Sequence, residues 1–186
     1  MKNMFNIRHY ISAGSAAAVC LGFLAFQAAN GAESEKRGQL TASEYKFVTE
    51  AVQGGTTEVT LGQLAVEKAV DPEVRKFGER MVQDHQKANQ ELTDLITKKG
   101  AALPETTPKK EERTVEKLRG LTGADFDRAY VKAMVSDHKK DVKEFQKQAE
   151  KAEDPELKNW VTKTLPTLQE HLTIVQSLEA KVVATR

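Results

Sequence analysis

Cysteine is nearly absent from this chain: Cys20 is the only one in 186 residues. An intrachain disulfide and a Cys-x-x-Cys motif are both excluded, so the fold must hold by packing alone. Aromatic residues are few at 6%, and no run of Val, Ile, Thr and Tyr alternates strictly with polar residues, which argues against a sheet. No glycine-rich phosphate loop and no nucleophile with a neighbouring base appears, so hydrolase, kinase and nucleotide-binding readings have no support. Neither charge sign dominates, with 28 basic and 27 acidic residues interspersed. Without a basic stripe, nucleic acid is not expected as a partner. Beyond the N-terminal region no apolar run could span a bilayer, which takes ~20 residues.

What is present begins with a leader. Lys2 and Arg8 precede an uncharged apolar stretch over 11–26, and the small residues Ala28, Ala29, Gly31 and Ala32 follow. This pattern predicts a signal peptide over 1–32 and export to the periplasm. Cys20 sits inside it, and Val19 before it is a poor match to a lipoprotein processing site. Losing Lys2 and Arg8 with the leader takes the basic residues from 28 to 26 against 27 acidic, a near-neutral mature chain. Residues 33–40 are polar, lack periodicity and read as a flexible tether. Residues 41–183 then read as one all-α domain, either monomeric or a homodimer, of a size that supports a sizeable core.

Four segments repeat apolar residues at helical spacing. The first opens at Thr41-Ala42-Ser43-Glu44, a capping-box pattern, and carries Phe47, Val48, Gly55, Glu58, Leu61 and Ala65 on one face; Gly54-Gly55 predicts a kink or a close helix approach. Asp71-Pro72-Glu73 joins it to the second, which presents Val74, Phe77, Met81, His85, Ala88, Leu92 and Leu95. A connection over 101–125, with a short helical run near 109–118, is long enough to span a helix, so the second and third helices are expected to be parallel. The third carries Val131, Met134, His138, Val142 and Phe145. Asp154-Pro155-Glu156 repeats the earlier junction and leads to the fourth, with Leu157, Trp160, Val161, Leu168, His171, Val175, Leu178 and Val182. Pro166 is expected to bend that helix about one turn before His171. The chain reads as a duplicated helical hairpin.

Each helix places one polar residue on its apolar face: Glu58, His85, His138 and His171. Three imidazoles and a carboxylate at one depth would suit a single Zn, Fe, Cu or Mn ion. Asp84, Asp137 and Glu170 each precede a histidine and are candidates for extra ligands or outer partners. The same four residues could instead form a hydrogen-bonded polar core without metal, in a non-enzymatic envelope or stress-related protein. Met81 and Met134, each four residues before a histidine, read as core filling, with thioether ligation of copper as the other choice. Tyr130 is an outer partner of the cluster or a packing residue.

Residues 58–65, Met81-Val82-Gln83-Asp84-His85, residues 126–130, Met134-Val135-Ser136-Asp137-His138, and Leu165-Pro166 with Glu170-His171-Leu172 resemble a family of exported bacterial proteins of the ferritin-like superfamily. That family is catalogued as a domain of unknown function and often labelled as outer membrane proteins. The resemblance covers residues 40–180 and implies a ferritin-like four-helix bundle with a crossover connection. Ferritin-like di-iron proteins use Glu-x-x-His on two helices. Here the residues three before the histidines are Val82, Val135 and Leu168, which argues against a di-iron oxidase.

Overall fold

The computed structural model describes residues 37–103 and 109–184; the expected leader, the first part of the expected tether and residues 104–108 lie outside the described residues. All regular structure among the described residues is helical: α1 (Ala42–Lys68), α2 (Pro72–Lys98), the short α3 (Lys109–Arg119), α4 (Gly123–Lys151) and α5 (Pro155–Ala184). Local chemistry starts the long helices. Thr41 Oγ1 accepts the Glu44 amide at 3.2 Å while Glu44 Oε2 accepts the Thr41 amide at 3.0 Å. Asp71 Oδ1 accepts the amides of Glu73 and Val74, and Asp154 Oδ1 does the same for Glu156 and Leu157. The two Asp-Pro-Glu junctions therefore cap their helices alike. At α4 the opening residue Gly123 takes φ +60°, which a glycine adopts without strain.

Side-chain contacts fix how the helices run. At one end Glu44, in the first turn of α1, accepts the amides of Glu153 and Asp154 between α4 and α5, and Lys99, just past α2, pairs with Asp154 and Glu156. At the other end Asp127, early in α4, accepts the amides of Val70 and Asp71 between α1 and α2, and Lys68 reaches the carbonyls of Arg119 and Leu121. Hence α1 and α2 form one antiparallel hairpin and α4 and α5 another. The helices α2 and α4 run the same way, with α3 in the connection. The hairpins hold each other reciprocally, because an acid near the start of each closes the turn of the other.

Two apolar clusters fill the interior. One gathers Leu61, Phe77, Met81, Phe126, Tyr130, Met134 and Val175; the other gathers Phe47, Val48, Leu92, Ile96, Phe145, Leu157, Trp160 and Leu168. Burying each large side chain contributes roughly 1.5–3 kcal/mol. Within α1 and α2 the helices approach so closely that a Cβ on Gly78 would lie 2.7 Å from Ala65 Cβ, and one on Gly62 would lie 2.8 Å from the Gly78 carbonyl oxygen. Near Gly54-Gly55 the close approach is to α2, through Asn89 against Gly55.

Some expectations shift. Residues 37–40, read as the end of a tether, are docked: Leu40 is buried and the Gln39 amide donates to the Lys99 carbonyl. An apolar residue and a free amide acceptor, both invisible in composition, tie them down. Ile96 rather than Leu95 is buried near the end of α2, four residues after Leu92, because the 3.6-residue repeat moves the buried stripe around the helix. As expected, Pro166 lies inside α5.

Burial acts to raise the Glu44 carboxyl, but the amides of Asp154, Thr41 and Glu153 and the Thr41 hydroxyl outweigh it and hold it below its ordinary value. A depressed carboxyl stabilises the fold above its unfolded value and loses that contribution as pH falls through the folded value. Urea unfolding of Glu44→Gln should show a loss of about 1–3 kcal/mol at pH 7. The gap to the parent chain should begin to narrow as pH drops below the ordinary glutamate value of about 4.3 and close only below the lower folded value; a gap independent of pH would argue against this role.

Candidate metal centre

Between the two apolar clusters lies a polar layer. Glu58 comes from α1, His85 from α2, His138 from α4 and His171 from α5, and all four are buried, the last two completely. Their burial follows from the apolar stripes that carry them: His85 is one turn past Met81, His138 one turn past Met134, and His171 three residues past Leu168. Each histidine offers one ligand-capable atom, and these atoms lie within 4.8 Å of one another. The Phe77 ring walls the layer, with its centroid 6.5 Å from that of His138 and 6.1 Å from that of His171.

The hydrogen bonds assign the protons. His138 Nδ1 is 3.1 Å from the Met134 carbonyl, which can only accept, so Nδ1 carries the hydrogen and Nε2 keeps its lone pair. His171 Nε2 is 2.8 Å from Asp84 Oδ2. Burial acts to raise Asp84, but the bonds from His171 and Arg80 outweigh it, and its carboxyl lies below the ordinary value. As an ionised acceptor it takes the His171 Nε2 hydrogen and leaves Nδ1 with a lone pair. His138 Nε2 and His171 Nδ1 then face each other at 3.3 Å, two lone pairs with no proton between them. His85 turns Nδ1 to Glu58 Oε2 at 3.2 Å, and its Nε2 has no hydrogen-bond partner among the described residues.

Burial keeps all three rings neutral. It drives His85 well below the ordinary histidine value, with His138 and His171 adding to the effect, and it takes His138 down to about 3. For His171, burial, with a smaller push from the Arg80 charge, prevails over the attraction of Asp84, and the ring also lies below its ordinary value.

The acids around the layer sit differently from one another. Glu58 backs two rings, since its Oε1 lies 3.4 Å from His138 Nδ1. The His138 hydrogen goes to Met134, so Glu58 Oε1 receives no hydrogen bond among the described residues. Burial, then Asp141 and Asp137, push the Glu58 carboxyl well above its usual range, opposed by Lys140. Asp84 serves His171 on another helix rather than the adjacent His85, and Arg80 holds it in place at 3.1 Å. Glu170 grips Arg80 through two bonds of 2.7 and 2.6 Å and is largely exposed. Asp137 lines a cavity of about 50 Å³ with Glu58 and Asp141. Met81 and Met134 are core residues of the first cluster, as is Tyr130, which stacks on Phe126 at 5.8 Å. Asp141 was not among the sequence candidates, although it follows His138 by three residues and so shares its side of α4. Trp160, read only as core, lines a cavity beside His85 and His171.

These assignments are open to measurement. Long-range ¹⁵N–¹H spectra of the metal-free protein at pH 7 should show neutral His138 protonated at Nδ1 and neutral His171 protonated at Nε2. Asp84→Ala should release His171 into the other tautomer and leave His138 unchanged. The opposite tautomer at either ring in the parent chain would refute the proton assignment.

Asp141 gives a pH signature. Burial, with Asp137 and then Glu144 adding and Lys140 opposing, lifts its carboxyl to about 7. A raised carboxyl binds its proton more tightly when folded, so it weakens the fold as pH climbs from the ordinary aspartate value towards the folded one. Asp141→Asn should leave the metal-free protein about as stable as the parent at low pH and stabilise it by on the order of 1–3 kcal/mol at pH 8. Equal melting shifts at pH 4 and pH 8 would refute this.

The match to known proteins covers these same helices. The family described as Domain of unknown function (DUF4142) matches residues 29–178. Among solved structures, the chain is similar to a DUF305 fragment from Deinococcus radiodurans, at TM-score 0.68 and 15% identity over 76% of this chain and 98% of that one. It is also similar to a DUF305 protein from Streptomyces coelicolor, described as a presumed secreted protein, at TM-score 0.66 and 13% identity over 80% of this chain and 94% of that one. At such identities the likeness is one of fold. No curated protein matches the sequence. Among the described residues no helix is long and apolar enough to cross a membrane. Glu58, His85, His138 and His171 all fall inside the matched span, and the chain belongs to the DUF4142 family.

Proposed function

We propose that the chain is an exported, ferritin-like four-helix bundle of the periplasm that holds one first-row transition-metal ion on His85, His138 and His171. The observation that carries this reading is the 3.3 Å approach of His138 Nε2 to His171 Nδ1, two nitrogens whose rings turn their hydrogens to Met134 and Asp84. Two neutral imidazoles in that arrangement repel, and a cation between them removes the repulsion. A second proton on His171 would serve, but burial disfavours it. A metal ion serves without it, and two nitrogens about 2.0–2.1 Å from a tetrahedral ion stand about 3.3 Å apart. Neutral imidazoles suit Zn, Cu, Fe and Ni.

The outward nitrogens support the same reading. Metal-bound histidines ordinarily give their other ring N–H to a carboxylate or backbone carbonyl, and here the partners are Glu58, the Met134 carbonyl and Asp84. In this role Glu58, Asp84 and, through Asp84, Arg80 orient the rings, while Asp137 and Glu170 remain outside the ligand set. A bound ion would supply Lewis acidity or electron transfer according to the metal. Export is supported by the leader-like pattern of residues 1–32 and by the description of the Streptomyces coelicolor relative as a presumed secreted protein.

Calorimetric titration of chelator-treated protein with Zn²⁺, Co²⁺ or Cu²⁺ should give one ion per chain. At a free concentration a hundred times the dissociation constant, the ion should stabilise the fold by about 2.7 kcal/mol, raising the melting temperature by about 5–10 °C. His138→Ala and His171→Ala should abolish uptake, and Glu58→Gln should weaken it about 10–100-fold. If none of these ions binds and chelation leaves the melting temperature unchanged, the layer is a polar core without metal.

A further inference from the structure

Beside the triad is a cavity of about 50 Å³ whose walls include Gly54, Glu58, His85, Trp160, Leu168 and His171. Three of these residues carry a buried polar atom with no hydrogen-bond partner among the described residues: Glu58 Oε1, His85 Nε2 and Trp160 Nε1. Buried polar atoms are rarely left unpaired; with His85 Nε2 given to the ion, the Trp160 indole N–H and Glu58 Oε1 remain as unpaired groups of residues that line one small space. The tryptophan offers only a donor, so its natural complement is an acceptor on a guest molecule. A water needs roughly 10–15 Å³ by this measure of volume, so the space admits a guest of one to three heavy atoms. Drug-sized organic substrates are excluded, since their pockets run to about 300 Å³ or more.

Building on the metal reading, we propose that this cavity is the pocket for a small exogenous ligand that completes the coordination of the ion and accepts a hydrogen bond from Trp160 Nε1. Three histidines leave one position of a tetrahedral ion open, the arrangement of sites that exchange ligands rather than of closed structural ones. The wall places the ligand-binding rings of His85 and His171 and the indole of Trp160 around one space. Glu58 adds an acceptor for a guest that carries a hydrogen, so water or hydroxide would satisfy both sides, and a small anion would satisfy the tryptophan and the ion. Gly54 lies on the lining of this cavity. A Cβ there would meet no heavy atom within 4 Å, whereas one at Gly55 would lie 2.3 Å from Asn89 Oδ1. Gly54 also borders the second cavity, beside Thr57 and Asp141, so a larger side chain at this position has open space to enter beside Glu58, one turn along the same helix.

The test uses the full chain loaded with one equivalent of Cu²⁺ as the probe ion and titrated with azide, followed by charge-transfer absorption and electron paramagnetic resonance. The parent chain should develop a saturable azide band with one azide per copper. Gly54→Leu should bind copper with the same stoichiometry and the same resonance in the absence of azide, yet lose azide affinity by about tenfold or more. Trp160→Phe should also keep its copper and weaken azide by about tenfold, the effect of one hydrogen bond; should Gly54→Leu fail to fold, Trp160→Phe decides alone. Copper bound at one equivalent with no azide band in the parent chain would mean a closed site, overturning the pocket while leaving the metal reading intact. Equal azide affinity in the parent and the folded variants would overturn the assignment to this cavity. Absence of stoichiometric copper would remove the metal reading and the pocket with it.

Discussion

A ring nitrogen can carry a hydrogen or a lone pair, and in the buried layer of this protein that choice has been taken out of the hands of two rings. The Met134 carbonyl claims the hydrogen of His138 and the Asp84 carboxylate claims that of His171, so the inner nitrogens meet at 3.3 Å as acceptors only. Much of the surrounding structure serves this arrangement. Arg80 steadies Asp84, Glu170 steadies Arg80, and packed apolar clusters lie on either side. In such surroundings water does little to soften the confrontation, and electrostatic preferences count for more than they would at the surface.

The charge balance near the layer is asymmetric. Glu58, Asp137 and Asp141 share one flank; after burial, Asp141 and Asp137 make Glu58 harder to ionise, and Asp137 does the same to Asp141. Lys140 offsets part of this for both. On the other flank Asp84 is paired with Arg80 and His171 and remains ionised. One side therefore carries a settled negative charge, and the other carries carboxyls that a nearby positive charge would help to ionise. This is an environment that favours a cation at the centre over a set of uncharged rings alone.

The four polar residues of the layer were legible because each interrupts an apolar stripe of helical period, and periodicity settles which way such a residue faces. Their partners were not. Asp84 was a candidate outer partner of the cluster, but the pattern did not say of which ring, since neighbours on a helix point about 100° apart. The acid reaches across to His171, just as Glu170 reaches to Arg80. Asp141 escaped notice because it lies at the edge of its stripe, where the pattern is silent about which acids will share a flank with Glu58. Trp160 was rightly assigned to the interior, yet the sequence could not show that its indole N–H finds no partner among the described residues. Periodicity reports the direction of a side chain and nothing of what waits at the other end.

The reciprocal acids at the two hairpin turns have a bearing on how the molecule comes together. Glu44 closes the turn of the second hairpin, and Asp127 closes the turn of the first. Neither hairpin supplies the side-chain acceptor for these amides at its own bend. Each is an unfinished half whose missing acceptor is carried by its counterpart. Drawing the hairpins apart would therefore break the acceptor bonds at both turns at once, so the two bends are energetically coupled although they lie at opposite ends of the helices.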